Sequence, residues 1–547
     1  MGKGVRSWQA FVIVLMSVFT FFVNNEVITP DIMEARNIVT AREMVDDGHW
    51  LVPTMNGELR LEKPPLPTWL TAVAQMVSPD NLALQRGMAG AAGVLLVIFF
   101  YLTVKLVVDD RRHAFLSTAI LMTCYNIVLM GRTATWDIYC HAFMMCGIYF
   151  LLRALKDDGR QWGDFTLAGL AMGLSFMSKG PVSFFGLLLP MLLALIATYR
   201  PQMRGKWLPV LLMVLVTVVL SGWWYGYLWA FHHDAVVAVT TKETGSWVNH
   251  NVRPWWYYWK FFLEAGIWAP LLLTAILLPL SHERERRDVK WRFFVLWLLL
   301  AVVLLSLMPE KKSRYLLPVM MPAAATMGYL AYGWAMRFKH REEERGDNTL
   351  FKINGWVIVA LTVALPVAVW NMCLVPEYVS TTEFVVLTVL LLSVASYMVS
   401  GIVKKKPHFI VYGVVMLFAI AEVALLPAFS PYINNPDRKS VALTKTVPEL
   451  RGVPYYYNSS DSLRIEIVYA AGRKIRPLDV TNPDSVEAHL PLALFTHKSV
   501  GDELPAAVLE RVDTTTIGHY DDNSRPKQYK RRYDEIFLYN VTLLRKK

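Results

Sequence analysis

The chain has 547 residues, of which 54% are hydrophobic and only 18% are charged, a composition too apolar for the surface of a water-soluble protein. Its net charge of +11 is spread over short basic clusters between apolar runs, which excludes the single basic face typical of nucleic-acid binding. The four cysteines lie in apolar runs without a CxxC pair, which excludes a disulfide framework and a zinc knuckle. The composition therefore predicts a polytopic α-helical membrane protein.

About thirteen apolar runs approach the twenty or so residues that a helix needs to cross a bilayer. The predicted spans are 8–29, 83–107, 113–131, 136–155, 163–178, 181–198, 207–230, 261–280, 291–308, 315–335, 352–374, 383–403 and 408–428. With a cytoplasmic N-terminus, every inner loop is basic, for example at Arg111, Arg112 and 404–406, as the positive-inside rule requires. This orientation places the C-terminus outside.

Three outer segments follow from this topology: 30–82, 231–260 and the residues after about 430. Within the first, 34–45 and 68–77 have helical character and can lie along the interface. The second is rich in Trp and Tyr, which suits simple interfacial anchoring.

The last part of the chain changes composition abruptly. Its β-branched or aromatic runs at 453–457, 465–471, 492–496 and 535–541 are typical of short strands between turn residues. We predict two domains: a transmembrane domain at 1–429, which includes loop 30–82, and a soluble α/β domain at 430–547 on the outer side. The second domain contains neither a phosphate-binding loop nor a nucleophile elbow. We therefore expect it to act as a covering or docking module.

Two carboxylates and a guanidinium, Asp31, Glu34 and Arg36, follow the first span. A spacing of three puts Asp31 and Glu34 on one helix face, where they could act as a general base or bind a metal. Alternatively, Asp31 caps the helix and Glu34 lies near its positive end.

Further carboxylates stand at two other outer positions. Glu62 and Lys63 are fixed by the two prolines that follow them. Asp137 lies at the outer end of the fourth span, where an ionisable group is costly to bury and is therefore a functional candidate, with helix capping as the alternative.

Basic residues also occur on the outer side, where the topology predicts few. Lys179 lies between the fifth and sixth spans, and Lys311, Lys312 and Arg314 lie between the ninth and tenth. Cations at an outer membrane mouth suit a phosphate ligand and can accept the charge of a phosphate leaving group. The alternative is snorkelling to lipid headgroups.

The order of these motifs resembles a known family. The matching strings are Arg42-Glu43-Met44, Gly48-His49-Trp50, Glu62-Lys63-Pro64-Pro65, Asp137, Ser178-Lys179-Gly180-Pro181, Arg253-Pro254-Trp255 and Arg314-Tyr315-Leu316. Together they resemble bacterial aminoarabinose transferases of lipid A and protein O-mannosyltransferases, which are glycosyltransferases of the GT-C fold. One departure is that Met33 and Asn37 replace the Asp and Tyr that are usual in the first-loop motif.

The resemblance implies an inverting enzyme of a bacterial inner membrane that takes a sugar from polyprenyl phosphate, without a nucleotide. Its acceptor, on the periplasmic face, would be lipid A, another glycan or protein. The resemblance also assigns roles: Lys63, Lys179, Lys311 and Arg314 approach the phosphate with Tyr315 beside it, Arg253 lies in a shared motif, and Asp31, Glu34 and Asp137 position the acceptor or act as base. It further implies that a divalent metal, Zn, Mg or Mn, can bind between Glu62 and His250.

Two other functions stay open. A secondary transporter or lipid flippase would favour charges near the bilayer midplane, whereas the charges here stand at the outer mouth. A non-catalytic lipid-binding scaffold is consistent with Met33 in the first-loop motif.

Overall fold

The computed structural model describes residues 4–156, 161–435, 438–524 and 533–547. Each predicted span coincides with a helix or with helical turns that continue one. The helices up to Ile433 are α1 (Gly4–Phe21), α2 (Ile32–Asp46), α3 (Leu66–Val77), α4 (Leu82–Val108), α5 (Arg111–Met122), α6 (Tyr125–Gly131), α7 (Trp136–Lys156), α8 (Gln161–Lys179), α9 (Leu189–Thr198), α10 (Trp207–Phe231), α11 (His233–Asn249), α12 (Ala269–Ser281), α13 (Glu283–Arg287), α14 (Val289–Leu307), α15 (Leu317–His340), α16 (Asp347–Val369), α17 (Thr381–Val403), α18 (Pro407–Ile420) and α19 (Leu426–Ile433).

Eight helical stretches of the described chain are long and apolar enough to cross a membrane. A ninth is obtained if α5 and α6, which meet at an angle of 68°, form one bent span. A helix satisfies its backbone hydrogen bonds internally, as the hydrocarbon core requires. The chain is therefore a polytopic helical membrane protein, and the count of thirteen crossings stays a prediction.

The described residues form two compact units. The helical unit contains those within Met1–Asn25, Leu61–Pro67 and Arg86–Ala428, and the sheet unit those within Glu26–Arg60, Thr68–Gln85 and Phe429–Lys547. The predicted domains grouped loop 30–82 with the membrane part, whereas most of this loop belongs to the sheet unit. The reason is apolar packing, since Val39 of α2 lies in the same core as Tyr455 and Ile475.

In the helical unit, α7 and α8 are tied together by charged pairs at both ends. Asp137 at the start of α7 pairs with Lys179, the last residue of α8. Near the other end, Arg153 of α7 pairs with Asp164 of α8. The acidic residue is on α7 in the first pair and on α8 in the second. Together the two pairs hold the helices antiparallel.

Helices α5 and α15 pack closely against each other at Gly328. A Cβ atom on Gly328 of α15 would lie 2.7 Å from the Cα of Ser117 of α5, nearer than non-bonded carbon atoms approach each other. Only a glycine lets these two backbones pack at this distance.

In the sheet unit, the first outer segment forms the two predicted helices and a hairpin. The helices are α2 and α3, and the hairpin pairs β1 (Thr54–Met55) with β2 (Glu58–Leu59). Asn56 and Gly57 form its turn with positive φ angles of 57° and 84°, as an Asn-Gly pair favours. Glu43 fixes the turn by accepting hydrogen bonds from the backbone N–H of Asn56 at 2.6 Å and of Gly57 at 3.1 Å.

The C-terminal residues form a mixed five-stranded sheet within the described chain. Its strands are β3 (Tyr455–Asn458), β4 (Ile475–Leu478), β5 (Leu492–Thr496), β6 (Val512–Asp521) and β7 (Leu538–Lys546), in the spatial order β4-β3-β5-β7-β6. Short helices α20 (Ile465–Ala471), α21 (Pro483–Glu487), α22 (Val500–Glu503) and α23 (Ala506–Leu509) connect them. Successive residues of β5 enter different cores, Ala493 and Phe495 one and Leu492 and Leu494 the other, so both faces of the sheet are covered.

Three of the four predicted strand runs lie on strands β3, β5 and β7, but the run 465–471 is helical and forms α20. Its buried residues Ile467, Val468 and Ala471 recur at helical spacing. The helix ends at Gly472, which adopts the left-handed conformation with φ 74°. The prediction of a strand there was wrong because β-branched residues alone do not distinguish a short strand from a buried helical turn.

Candidate functional site

The candidate site begins at the pair formed by Asp137 and Lys179. Their carboxylate and ammonium groups are in direct contact, and the two residues are only 2% and 8% exposed. Lys179 ends α8 because Gly180 follows with φ 72°, a conformation that glycine adopts without a steric penalty. A charged pair this deeply buried is strongly destabilising if one partner is removed, so each residue holds the other in place.

Three cations surround the ring of Tyr315. Lys179 Nζ lies 5.0 Å from the ring centroid, Lys312 Nζ 5.7 Å and Arg314 Cζ 5.6 Å. The electron-rich ring face attracts each of them. We call Asp137, Lys179, Lys312, Arg314 and Tyr315 the cation cluster.

Two members of the cation cluster have carboxylate partners. Asp137 pairs with Lys179, and Glu310 lies 2.5 Å from Lys312 Nζ. Arg314 lies with these two cations around the ring of Tyr315. Cationic side chains gathered at one place are the groups that bind phosphate oxygens.

The segment that carries Lys312 and Arg314 is fixed by backbone contacts. The Tyr258 hydroxyl accepts a hydrogen bond from Lys312 N–H at 3.0 Å and donates one to the Lys312 carbonyl at 3.2 Å. Lys311 Nζ donates to the backbone carbonyls of Arg253, at 3.1 Å, and of Met308. Lys311 is therefore a buried anchor of the backbone, and its burial lowers the pKa of its ammonium group.

Glu62 and Lys63 are held by helix α11 through two charged pairs. Lys63 Nζ lies 3.1 Å from Glu243, and Lys242 Nζ lies 3.8 Å from Glu62. The acidic residue precedes the basic one on the loop, whereas the basic residue precedes the acidic one on the helix. Lys63, which the resemblance assigns to the phosphate, is bound to a carboxylate in this conformation.

The predicted metal pair of Glu62 and His250 is not assembled in this conformation. Glu62 faces Lys242, whereas His250 Nδ1 lies 4.0 Å from Glu310 and 2.8 Å from the Asn251 side chain. Among the described residues, no group of three or more His, Cys, Asp or Glu side chains is positioned to hold a metal. The residues as placed do not fit a divalent ion, and the metal stays a prediction.

Arg253 differs from the other cations assigned by the resemblance. Its backbone pairs with the segment before the cation cluster, since its N–H donates to the Pro309 carbonyl at 3.3 Å. Its side chain is exposed. The described contacts therefore give Arg253 a backbone role and leave its guanidinium accessible to a ligand.

The first-loop carboxylates belong to the sheet unit and have distinct environments. Asp31 is exposed and caps α2, accepting hydrogen bonds from the N–H groups of Met33 at 2.8 Å and Glu34 at 2.9 Å. Glu34 is only 1% exposed. Arg36 is half-buried, and its carbonyl accepts a hydrogen bond from Arg60 at 3.0 Å. The capping alternative for Asp31 thus matches the structure.

Sequence reasoning missed several partners of these residues. Tyr258 was grouped with anchoring aromatics, yet it is 1% exposed while Trp255, Trp256 and Trp259 are more than half exposed. Glu243 and Glu310 gave no separate signal, because exposed acidic residues are common in loops. The aromatic run marks a surface, but only a structure can show which of its rings turns inward.

Part of the chain matches a known protein family. Residues 62–225 match the family described as dolichyl-phosphate-mannose-protein mannosyltransferase. This stretch includes Glu62, Lys63, Asp137 and Lys179 but not the segment that carries Lys312, Arg314 and Tyr315.

Characterised bacterial proteins are similar over a longer stretch. The undecaprenyl phosphate-alpha-4-amino-4-deoxy-L-arabinose arabinosyl transferase 2 of Proteus mirabilis is 27% identical over 357 residues, which are 61% of this chain and 60% of that protein. A Pseudomonas aeruginosa arabinosyl transferase of the same description, from strain PAO1, is 26% identical over 476 residues, 83% of this chain and 80% of the relative. The chain thus spans less than two thirds of the Proteus relative and most of the Pseudomonas one.

A solved structure shares the fold over almost the whole length. The structure of ArnT from Cupriavidus metallidurans bound to undecaprenyl phosphate matches with a TM-score of 0.67 at 15% identity, covering 99% of this chain and 98% of that chain. Its apo state gives a TM-score of 0.65. At this level of identity the similarity establishes the fold, which is the predicted GT-C architecture.

Proposed function

Because this chain is similar in sequence to aminoarabinose transferases and O-mannosyltransferases and shares the fold of ArnT, we propose that it is a membrane glycosyltransferase of the GT-C superfamily. Its donor is a sugar carried on polyprenyl phosphate, as the names of the relatives indicate for those proteins. Its acceptor is lipid A, another glycan or a protein. No nucleotide takes part in the transfer.

The observation that carries the proposal is the convergence of Lys179, Lys312 and Arg314 on the ring of Tyr315. In the transfer, the bond between the anomeric carbon and a phosphate oxygen breaks, and a bond from that carbon to an acceptor oxygen forms on the opposite face. The electron pair of the broken bond stays on the leaving polyprenyl phosphate. Lys179, Lys312 and Arg314 stabilise this developing charge, which is the electrostatic contribution that usually dominates such reactions.

The carboxylates have separate roles in this proposal. Asp137 is bound to Lys179 and orients the ammonium group, so it acts as a positioning residue for the phosphate. The base for a hydroxyl acceptor stays open between Asp31, whose carboxylate caps α2, and Glu34. A hydroxyl acceptor requires such a base, whereas a phosphate acceptor is already nucleophilic at neutral pH.

The finer topology is part of the proposal. We place thirteen spans in a bacterial inner membrane, with a cytoplasmic N-terminus and the residues from about 430 onward in the periplasm. The basic inner loops support this orientation. Transfer then takes place on the periplasmic face, where no nucleotide sugar is available.

The divalent metal of the resemblance has a separate test. In the described conformation Glu62 and His250 each face another residue, so no step above depends on a metal. Activity that is lost with a chelator and restored by Zn, Mg or Mn would require the loop to rearrange and bring the two side chains together.

The experiment compares lipid A, envelope glycans and membrane proteins by mass spectrometry, in cells that lack the chain and in cells that carry variants. We expect Asp137→Asn and Lys63→Ala to remove a sugar-sized mass that the native chain adds. The matched control is Asp164→Asn, which breaks the other buried pair between α7 and α8 far along both helices from the cation cluster. It tests whether loss of a helix tie alone stops transfer.

Two results would contradict the proposal. If both Asp137→Asn and Lys63→Ala cells still carried the modification, the assignment of these residues to the site would be wrong. Unchanged spectra in every fraction of cells that lack the chain would instead favour the transporter, the flippase or the lipid-binding scaffold.

A further inference from the structure

An apolar crevice opens in the helical unit between α1, α5, α17 and α18. It has a volume of about 720 Å³, and residues such as Met16, Ala119, Val394 and Met416 line it. A cavity of this size is within the range of ligand-binding pockets. None of its lining residues belongs to the cation cluster.

A second cavity of about 500 Å³ adjoins the crevice. Three aromatic residues, Trp8, Phe115 and Tyr412, line both cavities. Their ring centroids lie between 5.7 and 6.4 Å apart. The two cavities are therefore adjacent and share a lining of three aromatic rings.

Basic side chains line the second cavity. Four of them are exposed, and we call these the basic vestibule: Arg112, Lys339, Lys404 and Lys406. In the described part of the chain, none of the four forms an ion pair. The fifth cation there, Lys405, binds Glu343 at 2.6 Å.

The nearby carboxylates are engaged elsewhere. Glu343 is paired with Lys405, and Asp110 accepts a hydrogen bond from the Tyr332 hydroxyl at 2.9 Å while capping α5. The basic vestibule thus has an uncompensated positive charge directly beside an apolar crevice.

We propose that the crevice and the basic vestibule form one binding site for an anionic phospholipid. One acyl chain occupies the crevice, and the phosphate lies at the basic vestibule. The positive-inside rule explains basic residues at helix ends, but it does not explain why they border a cavity that continues between the helices. An amphiphile matches both features at once.

Other ligands match only one of the two features. A free phosphate would leave the apolar crevice without an occupant. A peptide segment in the crevice would bury backbone N–H and C=O groups among apolar side chains, which is unfavourable without hydrogen-bond partners. An acyl chain has no such groups.

The test is native mass spectrometry of the delipidated full-length chain in a mild detergent. Phosphatidylglycerol and phosphatidylcholine with identical acyl chains are titrated separately. We expect phosphatidylglycerol to bind about tenfold more tightly or better, since each basic residue near a membrane surface contributes to attraction of anionic headgroups. Lys404→Gln combined with Lys406→Gln is expected to reduce this preference to near parity.

Matched variants separate charge from general damage. Lys404→Arg with Lys406→Arg should keep the preference, and so should Arg286→Gln with Arg287→Gln, because these two exposed arginines of α13 lie outside the basic vestibule. Ser393→Trp fills the crevice and should weaken binding of both lipids; Ser393→Leu replaces it if thermal melting shows that the larger residue unfolds the chain.

Three outcomes would overturn the proposal. These are equal binding of the two lipids by the native chain, unchanged preference after removal of Lys404 and Lys406 charges, and effective competition by soluble glycerophosphoglycerol, which has the headgroup without acyl chains. The readout is lipid binding alone, so its result does not depend on whether the chain transfers a sugar.

Discussion

The hydroxyl of Tyr258 positions Lys312 through hydrogen bonds to its backbone. It bonds both the N–H and the carbonyl of Lys312, and it thereby fixes the backbone from which the ammonium group extends to Tyr315. Alignment of a charged group within a site matters because small displacements reduce electrostatic stabilisation of a transition state.

Tyr258→Phe should therefore reduce the transfer rate about tenfold. The reason is loss of two backbone hydrogen bonds, with a cost of about 1 kcal/mol each in stability. The measurement is kcat and KM with a purified polyprenyl-phosphate sugar. Tyr257→Phe is the control, since among the described residues its hydroxyl makes one long contact, 3.5 Å to Ser313; equal effects of the two variants would refute the positioning role.

Sequence reasoning found most members of the cation cluster but not their pairing. Lys179, Lys312 and Arg314 stood out because cations are unexpected in predicted outer loops, and Asp137 because a carboxylate is costly at a membrane boundary. Which carboxylate binds which cation depends on how helices pack, and one sequence contains no such information. Lys311 shows the limit of this reasoning. It is also a cation in a predicted outer loop, yet its ammonium group donates hydrogen bonds to backbone carbonyls.

Among the elements, α11 bears most directly on donor binding. Its residues Lys242 and Glu243 pair with Glu62 and Lys63 in opposite charge order. In the proposed function, a donor phosphate must compete with Glu243 for Lys63.

Glu243→Gln should tighten binding of undecaprenyl phosphate about two- to fivefold, because a solvent-accessible pair of two half-buried residues contributes up to about 1 kcal/mol. The measurement is a binding titration with the purified chain. Glu283→Gln serves as the control, since it breaks the exposed pair with Arg287 on α13. Weaker binding by Glu243→Gln would show that the carboxylate assists the donor and does not compete with it.

Secondary-structure elements with long apolar runs were predicted correctly, whereas some short elements were not. All the long apolar runs are helical, and the Asn56-Gly57 turn was also predictable from turn chemistry. The strand β6 escaped notice because Thr514, Thr515 and Thr516 are exposed on the sheet's outermost strand. Such an edge strand lacks the apolar alternation on which recognition depends.

At the scale of the whole molecule, the sheet unit is joined across distant parts of the sequence by charge. Asp80 binds Arg42 at 2.8 Å and Lys445 at 3.1 Å. Burial by itself raises the pKa of Asp80, but the two positive charges and their hydrogen bonds outweigh it and hold the pKa below its ordinary value of 3.8. A lowered folded-state pKa means that the ionised form is stabilised by folding.

Asp80→Asn should therefore lower the melting temperature at neutral pH. The difference from the native chain should shrink below about pH 3.8 and vanish as the pH falls through the folded-state pKa of Asp80. Thermal unfolding of the full chain in detergent across this range measures it. Asp484→Asn, which breaks an exposed pair with Arg511, should change little at any pH, and an equal loss in both variants would contradict the argument.

Orientation in the membrane can be read from single introduced cysteines. Three of the four native cysteines lie in helical segments and Cys124 lies at the bend between α5 and α6; Cys124, Cys140 and Cys373 are buried. With an impermeant maleimide applied to spheroplasts, Ser459→Cys in the sheet unit should react and Gln202→Cys, in a predicted inner loop, should not. The native chain gives the background, and the reverse pattern would invert the proposed topology.

The contact between Gly328 and Ser117 has a consequence for motion during turnover. Two backbones that touch without intervening side chains cannot slide past each other without a clash. Helix α15 begins at Leu317, two residues after Tyr315, so its contact with α5 restrains the helix that follows Arg314 and Tyr315. In the proposed function, we therefore expect Arg314 and Tyr315 to keep their position relative to α5 while the donor binds.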